Sequence, residues 1–240
     1  IGFAIAPRIN AAGRLQDMSL GIEALISDNP DDALIKARQL DDINIHRREV
    51  ESDMEAQALA MLEKMSLNSN EKPLAYCLYD ETWHQGVVGL LASRIKERQY
   101  RPVIAFAPGE NDTLKGSARS IVGIHIRDVL ALVSNKDPEM LSQFGGHAMA
   151  AGLTINKADL ADFKKAFMQA LEQVIDRSTL TLELVSDGEL QGTDFSVDFA
   201  QKLSLFAPWG QGFPEPRFHG QFLIVAFREV GQKQNHLRLS

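Results

Sequence analysis

Apolar residues recur at helical spacing through the first part of the chain and predict one long helix. No glycine or proline occurs between residues 31 and 65, where apolar positions follow at intervals of seven, four, four, three and four. Acidic and cap-type residues around Pro30 are typical of a helix start. At 1.5 Å per residue the helix would span roughly 50 Å, which suits a connector between two domains. The stripe consists of Ile43, Val50, Met54, Ala58, Met61 and Met65.

Short apolar runs then alternate with amphipathic stretches, which predicts a layered α/β domain. A polar break at residues 67–72 separates this region from the long helix. The predicted strands cover residues 73–79, 102–107, 113–120 and 153–155, and the predicted helices cover residues 87–98, 126–133 and 158–175.

The pattern changes after residue 176. Residues 180–185 alternate between polar and apolar, as in a half-buried strand. A short helix is predicted at 199–206, a long strand at 218–228, and another strand from Leu237. This third part is expected to form part of a small, OB-like β-barrel.

Composition indicates a globular protein of one large or two small domains. The chain has 240 residues, and no apolar run approaches the ~20 residues of a membrane helix, so no membrane role is expected. No signal-peptide pattern is present, and the single cysteine, Cys77, excludes an internal disulfide and fits a reducing, cytoplasmic location. Because the first residues resemble the interior of a domain, we expect an internal fragment of a larger protein.

The net charge of −7 is unevenly distributed. Residues 83–127 hold seven basic and three acidic side chains, whereas residues 176–198 hold six acidic side chains and one arginine. A basic face that binds nucleic acid is therefore compatible with an acidic chain.

Two short segments carry the strongest candidate chemistry. The sequence GGHAMAAG at 145–152 surrounds His147 with small residues, and Gly145 and Gly146 allow a ligand to approach closely. The sequence KGSARS at 115–120 supplies the hydroxyl of Ser117 and the guanidinium of Arg119, which suit a phosphate. A tight turn with a core histidine and a strand edge with an exposed arginine are the alternatives.

Three further groups are candidates for nucleic-acid contacts. Two arginines and an amide near the start suit an anionic ligand, although a loop with solvated arginines is the alternative. A polar patch on the long helix could face a cleft or solvent, and two loop aromatics could stack on bases or pack onto the barrel. These groups are Arg8, Asn10 and Arg14; Asn44, Arg47 and Arg48; and Trp209 and Phe213.

Five segments, taken in order, resemble the RecJ family of the DHH phosphoesterase superfamily. Each segment alone is a weak signal, whereas five in the same order extend over essentially the whole chain. They are APRINAAGR at 6–14, WHQGVVG at 83–89, GSARS at 116–120, GGHAMAAG at 145–152 and APWGQGFPEP at 207–216.

The resemblance implies a domain order and a function. Residues 1–27 would end a catalytic DHH domain, 28–70 would form the connector, 71–176 the DHH-associated α/β domain, and 177–240 a partial OB-like domain. The implied activity is 5′→3′ hydrolysis of single-stranded DNA in repair and recombination, with Mn²⁺ or Mg²⁺ in the full-length enzyme. Single-stranded DNA with a 5′ end would be the ligand, and a helicase or a single-strand-binding protein would be possible partners.

The resemblance also assigns roles to the candidate residues. Ser117, Arg119 and His147 match positions near the 5′-terminal phosphate and the scissile bond, with Arg8 and Arg14 at the rim of the cleft. His147 would support catalysis by donating to an oxyanion or by orienting the turn.

The metal-binding part of the family pattern is missing from this sequence. The family holds two divalent ions with clustered aspartates and histidines, whereas the six histidines of this chain are scattered. We therefore expect that this chain alone binds no metal and does not cut DNA. The alternatives are a phosphodiesterase of cyclic dinucleotides or short oligoribonucleotides, and a non-catalytic nucleic-acid-binding module.

Overall fold

The computed structural model describes residues 2–67, 72–141, 143–210, 212–231, 234 and 236–240. The chain forms two compact units, Ile1–Leu182 and Glu183–Ser240. The first unit thus continues past residue 176, where the sequence predicted a boundary. The predicted boundary between residues 70 and 71 and Gln211 of the 207–216 segment lie outside the described residues.

Three helices begin the first unit: α1 at Ile5–Leu15, α2 at Ser19–Ile26 and α3 at Pro30–Leu67. The segment that carries Arg8 and Arg14 is therefore helical, and the alternative of a loop is wrong. Its small residues Ala11 and Ala12 are buried in a cluster with side chains of α3, because a helix with short side chains can pack closely against another.

Helix α3 connects two separate cores. Its start is capped by Asn29, whose Oδ1 accepts from the Asp31 amide at 2.9 Å. Ile43 packs with α1 in one core, while Met54 and Ala58 pack in a second core, which belongs to the α/β part. Met65, the last residue of the predicted stripe, is 43% exposed.

The α/β part contains one five-stranded sheet with the strand order β1-β2-β3-β5-β4. Strands β1 and β2 are parallel, and every other neighbouring pair is antiparallel. In chain order the elements are β1 (Tyr76–Tyr79), α4 (Val88–Gln99), β2 (Val103–Pro108), β3 (Thr113–Arg119), α5 (Ile126–Lys136), β4 (Gln143–Gly146), β5 (Ala150–Asn156) and α6 (Leu160–Val174).

Each face of the sheet contributes to a different core. Ile104 and Phe106 of β2 pack in the core that α5 and α6 complete, whereas Val103 and Ala105 pack in the core with α3 and α4. This alternation follows from the period of two in a β-strand. On β3 the same period places Ser117 and Arg119 on the α4 side.

The second unit contains helix α7 (Val197–Phe206) and an antiparallel pair of strands, β6 (Phe227–Val230) and β7 (His236–Leu239). The strand predicted at 180–185 is wrong. Leu180 ends a 3₁₀ turn, its carbonyl accepts from Arg101 at 2.6 Å, and residues 181–185 form no strand. The strand predicted at 218–228 is wrong over most of its length. Leu223 is 88% exposed, and only Phe227 and Arg228 of this range pair with β7.

Candidate functional site

Arg119 and Ser117 form the centre of the site. Residues two apart on a strand share a face, and the Arg119 Nη1 donates to Ser117 Oγ at 2.9 Å. The same nitrogen donates to the Ala118 carbonyl at 2.8 Å, and Arg119 Nε donates to Ser93 Oγ at 3.2 Å. Three hydrogen bonds therefore hold the half-buried guanidinium, while the described residues give Nη2 no acceptor.

The first turn of α4 lies against this pair. A Cβ on Gly89 would be 2.9 Å from Arg119 Nη2 and 3.1 Å from Ser117 Oγ, so a larger residue here would displace the end of the Arg119 side chain. The N-terminus of a helix carries a partial positive charge, which disfavours a neighbouring cation and favours an anion. The helix end and the guanidinium together therefore favour the binding of an anion.

Arg14, in the last turn of α1, adds a second positive charge. Its Nη1 donates to the Gly86 carbonyl at 3.2 Å. Burial lowers the pKa of the Arg119 guanidinium, and the like charge of Arg14 lowers it further. Arg8 and Arg47 have carboxylate partners, but within the described residues neither Arg14 nor Arg119 has one.

His147 and the glycines lie across the sheet from these residues. The strand register aligns Ser117 with Gly152, and Gly152 with Gly145. A Cβ on either glycine would meet nothing within 4 Å, so this row is an open strip of backbone. At about 4.8 Å per strand, Gly145 lies roughly 10 Å from Ser117.

A second row runs beside the first. Arg119 pairs with Ala150, and the His147 amide donates to the Ala150 carbonyl at 2.8 Å. His147 is exposed at the end of this row, directly after Gly146, whose φ is +143°. The register thus places Gly145 in the row of Ser117, and His147 at the end of the row of Arg119, whereas Gly146 aligns with Ala151 and Ala118, which are buried in the core on the other face.

Other predicted residues lie apart or have intramolecular partners. Arg8 and Arg14 are six residues apart on α1, which separates their directions by about 240° around the helix axis. Arg8 Nε donates to Asp41 on α3 at 2.8 Å, and Asn10 is exposed on the same helix. Arg14 therefore lies beside the Ser117 and Arg119 pair, whereas Arg8 is held by Asp41, and the position of both arginines at the rim of a cleft stays a prediction.

The polar patch on α3 is largely occupied by an internal ion pair. Arg47 donates to Glu51, which is 7% exposed, and to Asn44 Oδ1 at 3.1 Å. Glu51 also accepts from Arg94 of α4 at 3.2 Å, so the cluster joins two helices. Arg48 is exposed, and its contact with nucleic acid stays a prediction, as does that of Arg47.

The two aromatics of the second unit contact each other. The ring centroids of Trp209 and Phe213 are 4.9 Å apart, and Trp209 also stacks on Phe206 of α7 at 5.8 Å. Trp209 Nε1 donates to the Leu203 carbonyl at 3.1 Å. This packing matches the alternative in which the aromatics lie against their own domain, although Phe213 is 50% exposed.

Sequence reasoning missed Ser93 and Gly89 as contacts of Arg119. Both lie on α4 four residues apart, so they share one face of that helix. The spacing is visible in the sequence. That this face meets the end of β3 depends on the packing of α4 over the sheet, which no local pattern reveals.

The described residues do not fit a two-metal centre. Within them, no group of three or more His, Cys, Asp or Glu side chains could hold a metal ion. In the same part of the chain, no helix is both long and apolar enough to cross a membrane. The chemistry that this site offers is anion binding by fixed donors.

Comparison with known proteins gives the site a family context. Residues 71–175 match the DHHA1 domain, and residues 186–240 match the RecJ OB domain. The fold and the site therefore define a protein with a DHHA1 domain, and the predicted layered α/β domain with its long connector helix and OB-type domain is confirmed.

Individual similar proteins narrow the class of DHHA1-domain proteins further. The chain is 46% identical over 239 residues to the single-stranded-DNA-specific exonuclease RecJ of Salmonella typhimurium, and 44% identical to that of Haemophilus influenzae. These alignments take in 100% of this chain but 41% and 42% of the relatives' lengths. The crystal structure of RecJ from Thermus thermophilus in complex with Mg²⁺ has a TM-score of 0.75 and 30% identity, covering 99% of this chain and 35% of that chain. Over that share of their length, the chain is similar to RecJ exonucleases, and it matches the DHHA1 and RecJ OB domain models.

Proposed function

We propose that this chain is part of a single-stranded-DNA-specific 5′→3′ exonuclease and that it binds the 5′-terminal phosphate of the strand. The observation that carries the proposal is the pair of arginines, Arg14 and Arg119, without carboxylate partners among the described residues at the N-terminus of α4. Two guanidinium groups and a positive helix end leave an uncompensated positive charge, which a phosphate dianion would neutralise.

The hydrogen bonds suggest how the phosphate would be held. Arg119 Nε and Nη1 already have acceptors, so the two N–H groups of Nη2 are the donors that remain for a phosphate. Ser117 Oγ accepts from Arg119, which leaves its O–H free to donate to a phosphate oxygen. The terminal nucleotide would then lie on the strip of Gly152 and Gly145, with His147 beside it.

Cleavage requires groups outside these residues. In the full-length protein Mn²⁺ or Mg²⁺ would activate the attacking water, whereas this chain's contribution would be to bind and orient the strand. Fixed positioning and electrostatic stabilisation supply much of the rate in phosphoryl transfer. Association with a helicase or a single-strand-binding protein stays a prediction.

The test compares 5′-phosphorylated with 5′-hydroxyl single strands, using the protein at its full natural length with metal withheld. Arg119→Ala should weaken binding of the phosphorylated strand about ten- to a hundredfold, or about 1.5–3 kcal/mol, and change binding of the hydroxyl strand little. Arg119→Lys should recover part of the loss. Arg127→Ala, which removes an exposed arginine from α5, serves as the matched control.

Equal losses for the two strands would contradict end recognition and reduce Arg119 to a general backbone contact. Nuclease assays on the parent protein with Mn²⁺ or Mg²⁺ test the activity itself. Hydrolysis of cyclic dinucleotides or short oligoribonucleotides without degradation of single-stranded DNA would favour the alternative phosphodiesterase.

A further inference from the structure

Ser93 has a position that the proposed binding mode does not by itself explain. It lies on α4 one turn after Gly89, and its Oγ donates to the Gly89 carbonyl at 3.1 Å. The same oxygen accepts from Arg119 Nε at 3.2 Å. Because the hydroxyl hydrogen is directed to Gly89, the lone pairs of Ser93 are available to the guanidinium.

The hydrogen bond that Ser93 accepts completes the set of bonds that fix the orientation of the Arg119 guanidinium. A guanidinium has five N–H donors in a rigid plane. The bonds to Ser117 Oγ and to the Ala118 carbonyl hold Nη1, and Ser93 holds Nε on the other side of the group. With both sides held, the plane cannot turn, and Nη2 stays against Gly89 at the helix end.

We propose that Ser93 is a positioning residue that fixes Arg119 so that Nη2 faces the 5′-terminal phosphate. Ser93 thereby sets how strongly the protein distinguishes a 5′-phosphate from a 5′-hydroxyl end, an inference that rests on the proposed function. Removal of the Ser93 oxygen frees Nε and lets the Arg119 side chain rotate. The entropic cost of ordering Arg119 then falls on the binding of the strand and weakens it.

The experiment measures the ratio of dissociation constants for 5′-hydroxyl and 5′-phosphorylated strands by fluorescence anisotropy, on the full-length protein with metal withheld. Ser93→Ala should lower this ratio about three- to tenfold, the range expected for one hydrogen bond. Ser204→Ala is the matched control, because Ser204 on α7 makes the same bond to the carbonyl four residues earlier, at 3.0 Å. It should leave the ratio unchanged.

A double-mutant cycle separates positioning from a general structural effect. Lysine has no Nε–H group equivalent to that of arginine, so Ser93→Ala should change the ratio little when Arg119→Lys is already present. Arg119→Lys is expected to retain part of the discrimination, so a further fall would be measurable. An effect of Ser93→Ala that is equally large in both backgrounds would overturn the positioning role.

The remaining outcomes distinguish the two proposals. If Arg119→Lys lowers the ratio and Ser93→Ala does not, the role of Ser93 is wrong and end recognition stands. If Arg119→Lys leaves the ratio unchanged, the proposed function is wrong at its central residue. Thermal unfolding of each variant shows whether an altered ratio comes from folded protein.

Discussion

Gly86 brings the backbones of two distant segments into direct contact. A Cβ at this position would be 1.9 Å from the Arg14 carbonyl oxygen. We expect Gly86→Ala to lower the free energy of unfolding by about 1–3 kcal/mol, because a main chain must move to admit the methyl group. Arg14 should move as well, so discrimination for a 5′-phosphate should fall. Chemical denaturation and strand-binding assays measure the two effects.

Gly152→Ala provides the control for stability. A Cβ there would meet nothing within 4 Å, and the residue lies within β5. Its free energy of unfolding should equal or exceed that of the parent. A Gly86 variant as stable as Gly152→Ala would contradict the close contact.

Cys77 gives a prediction about pH. Burial raises the pKa of this thiol to about 12 from an ordinary value of 9.0. The native thiol should therefore resist iodoacetamide at pH 8, whereas the unfolded chain should be labelled readily, because the thiolate is the reactive form. Mass spectrometry of the peptide that contains Cys77 measures both. Equal labelling rates in the two states would contradict the burial.

The same shift links stability to pH with a definite sign. Below pH 9 both states hold the proton, and the contribution of this group to stability is fully present. As pH rises from 9 toward 12 the unfolded state loses its proton first, so the contribution is progressively lost.

At the residue scale, the sequence was informative wherever a local period decides the geometry. Ser117 and Arg119 share a face because they are two apart on a strand. Arg47 and Glu51 are four apart on α3, so their pairing could also have been predicted. Ser93 and Arg94 could not be found in this way, because their partners lie on other elements.

Among the elements, the β4–β5 hairpin depends most on one backbone conformation. Gly146 has a φ of +143°, and a Cβ there would be 2.3 Å from the Ala150 carbonyl oxygen. Gly146→Ala should lower the free energy of unfolding by about 1–3 kcal/mol and displace His147. Denaturant unfolding and 5′-phosphate discrimination are the measurements.

The adjacent Gly145→Ala gives the comparison for this prediction. Its Cβ would meet nothing within 4 Å, so the hairpin should keep its stability. The added methyl group would nevertheless stand on the strip proposed to hold the terminal nucleotide. A Gly146 variant with unchanged stability would show that the hairpin relaxes without cost.

Elements with a continuous local pattern were predicted well, and elements that need a partner were not. Helix α3 occupies Pro30–Leu67, close to the predicted 31–65, because its apolar stripe persists over many turns. The region 218–228 has strand-forming residues, yet a strand forms only where another strand pairs with it. Within the described residues of this range, pairing consists of one isolated bridge between His219 and Glu189, backbone bonds of Val225 and Ala226 with Ser240, and the β6–β7 pair.

The division into two units predicts where a protease cuts. Leu184 and Val185 are 72% and 79% exposed at the start of the second unit. By contrast, residues 177–180 form a 3₁₀ turn that Asp176 caps, and Arg101 binds the carbonyl of Leu180. Thermolysin should therefore first cut near Leu184 and Val185, later in the chain than the boundary after residue 176 that the sequence predicted.

Mass spectrometry of the fragments over a time course identifies the first cut. Cleavage near residue 184 should leave the first unit folded, as circular dichroism of the purified fragment would show. A first cut inside Leu160–Val174 would contradict the packing of α6, whose Phe163 and Phe167 are both fully buried.

The length of helix α3 fixes how the two cores of the first unit are oriented. Since Ile43 belongs to one core and Met54 to the other, the number of residues between them sets both the distance and the rotation that relate the two cores. One inserted residue would advance the second core by about 1.5 Å and turn it by about 100°. Seven inserted residues would restore the rotation to within about 20° but lengthen the helix by about 10 Å. Neither change would restore the contact between Arg14 and Gly86. Insertions and deletions within this helix should therefore disrupt the protein far more than substitutions on its exposed face.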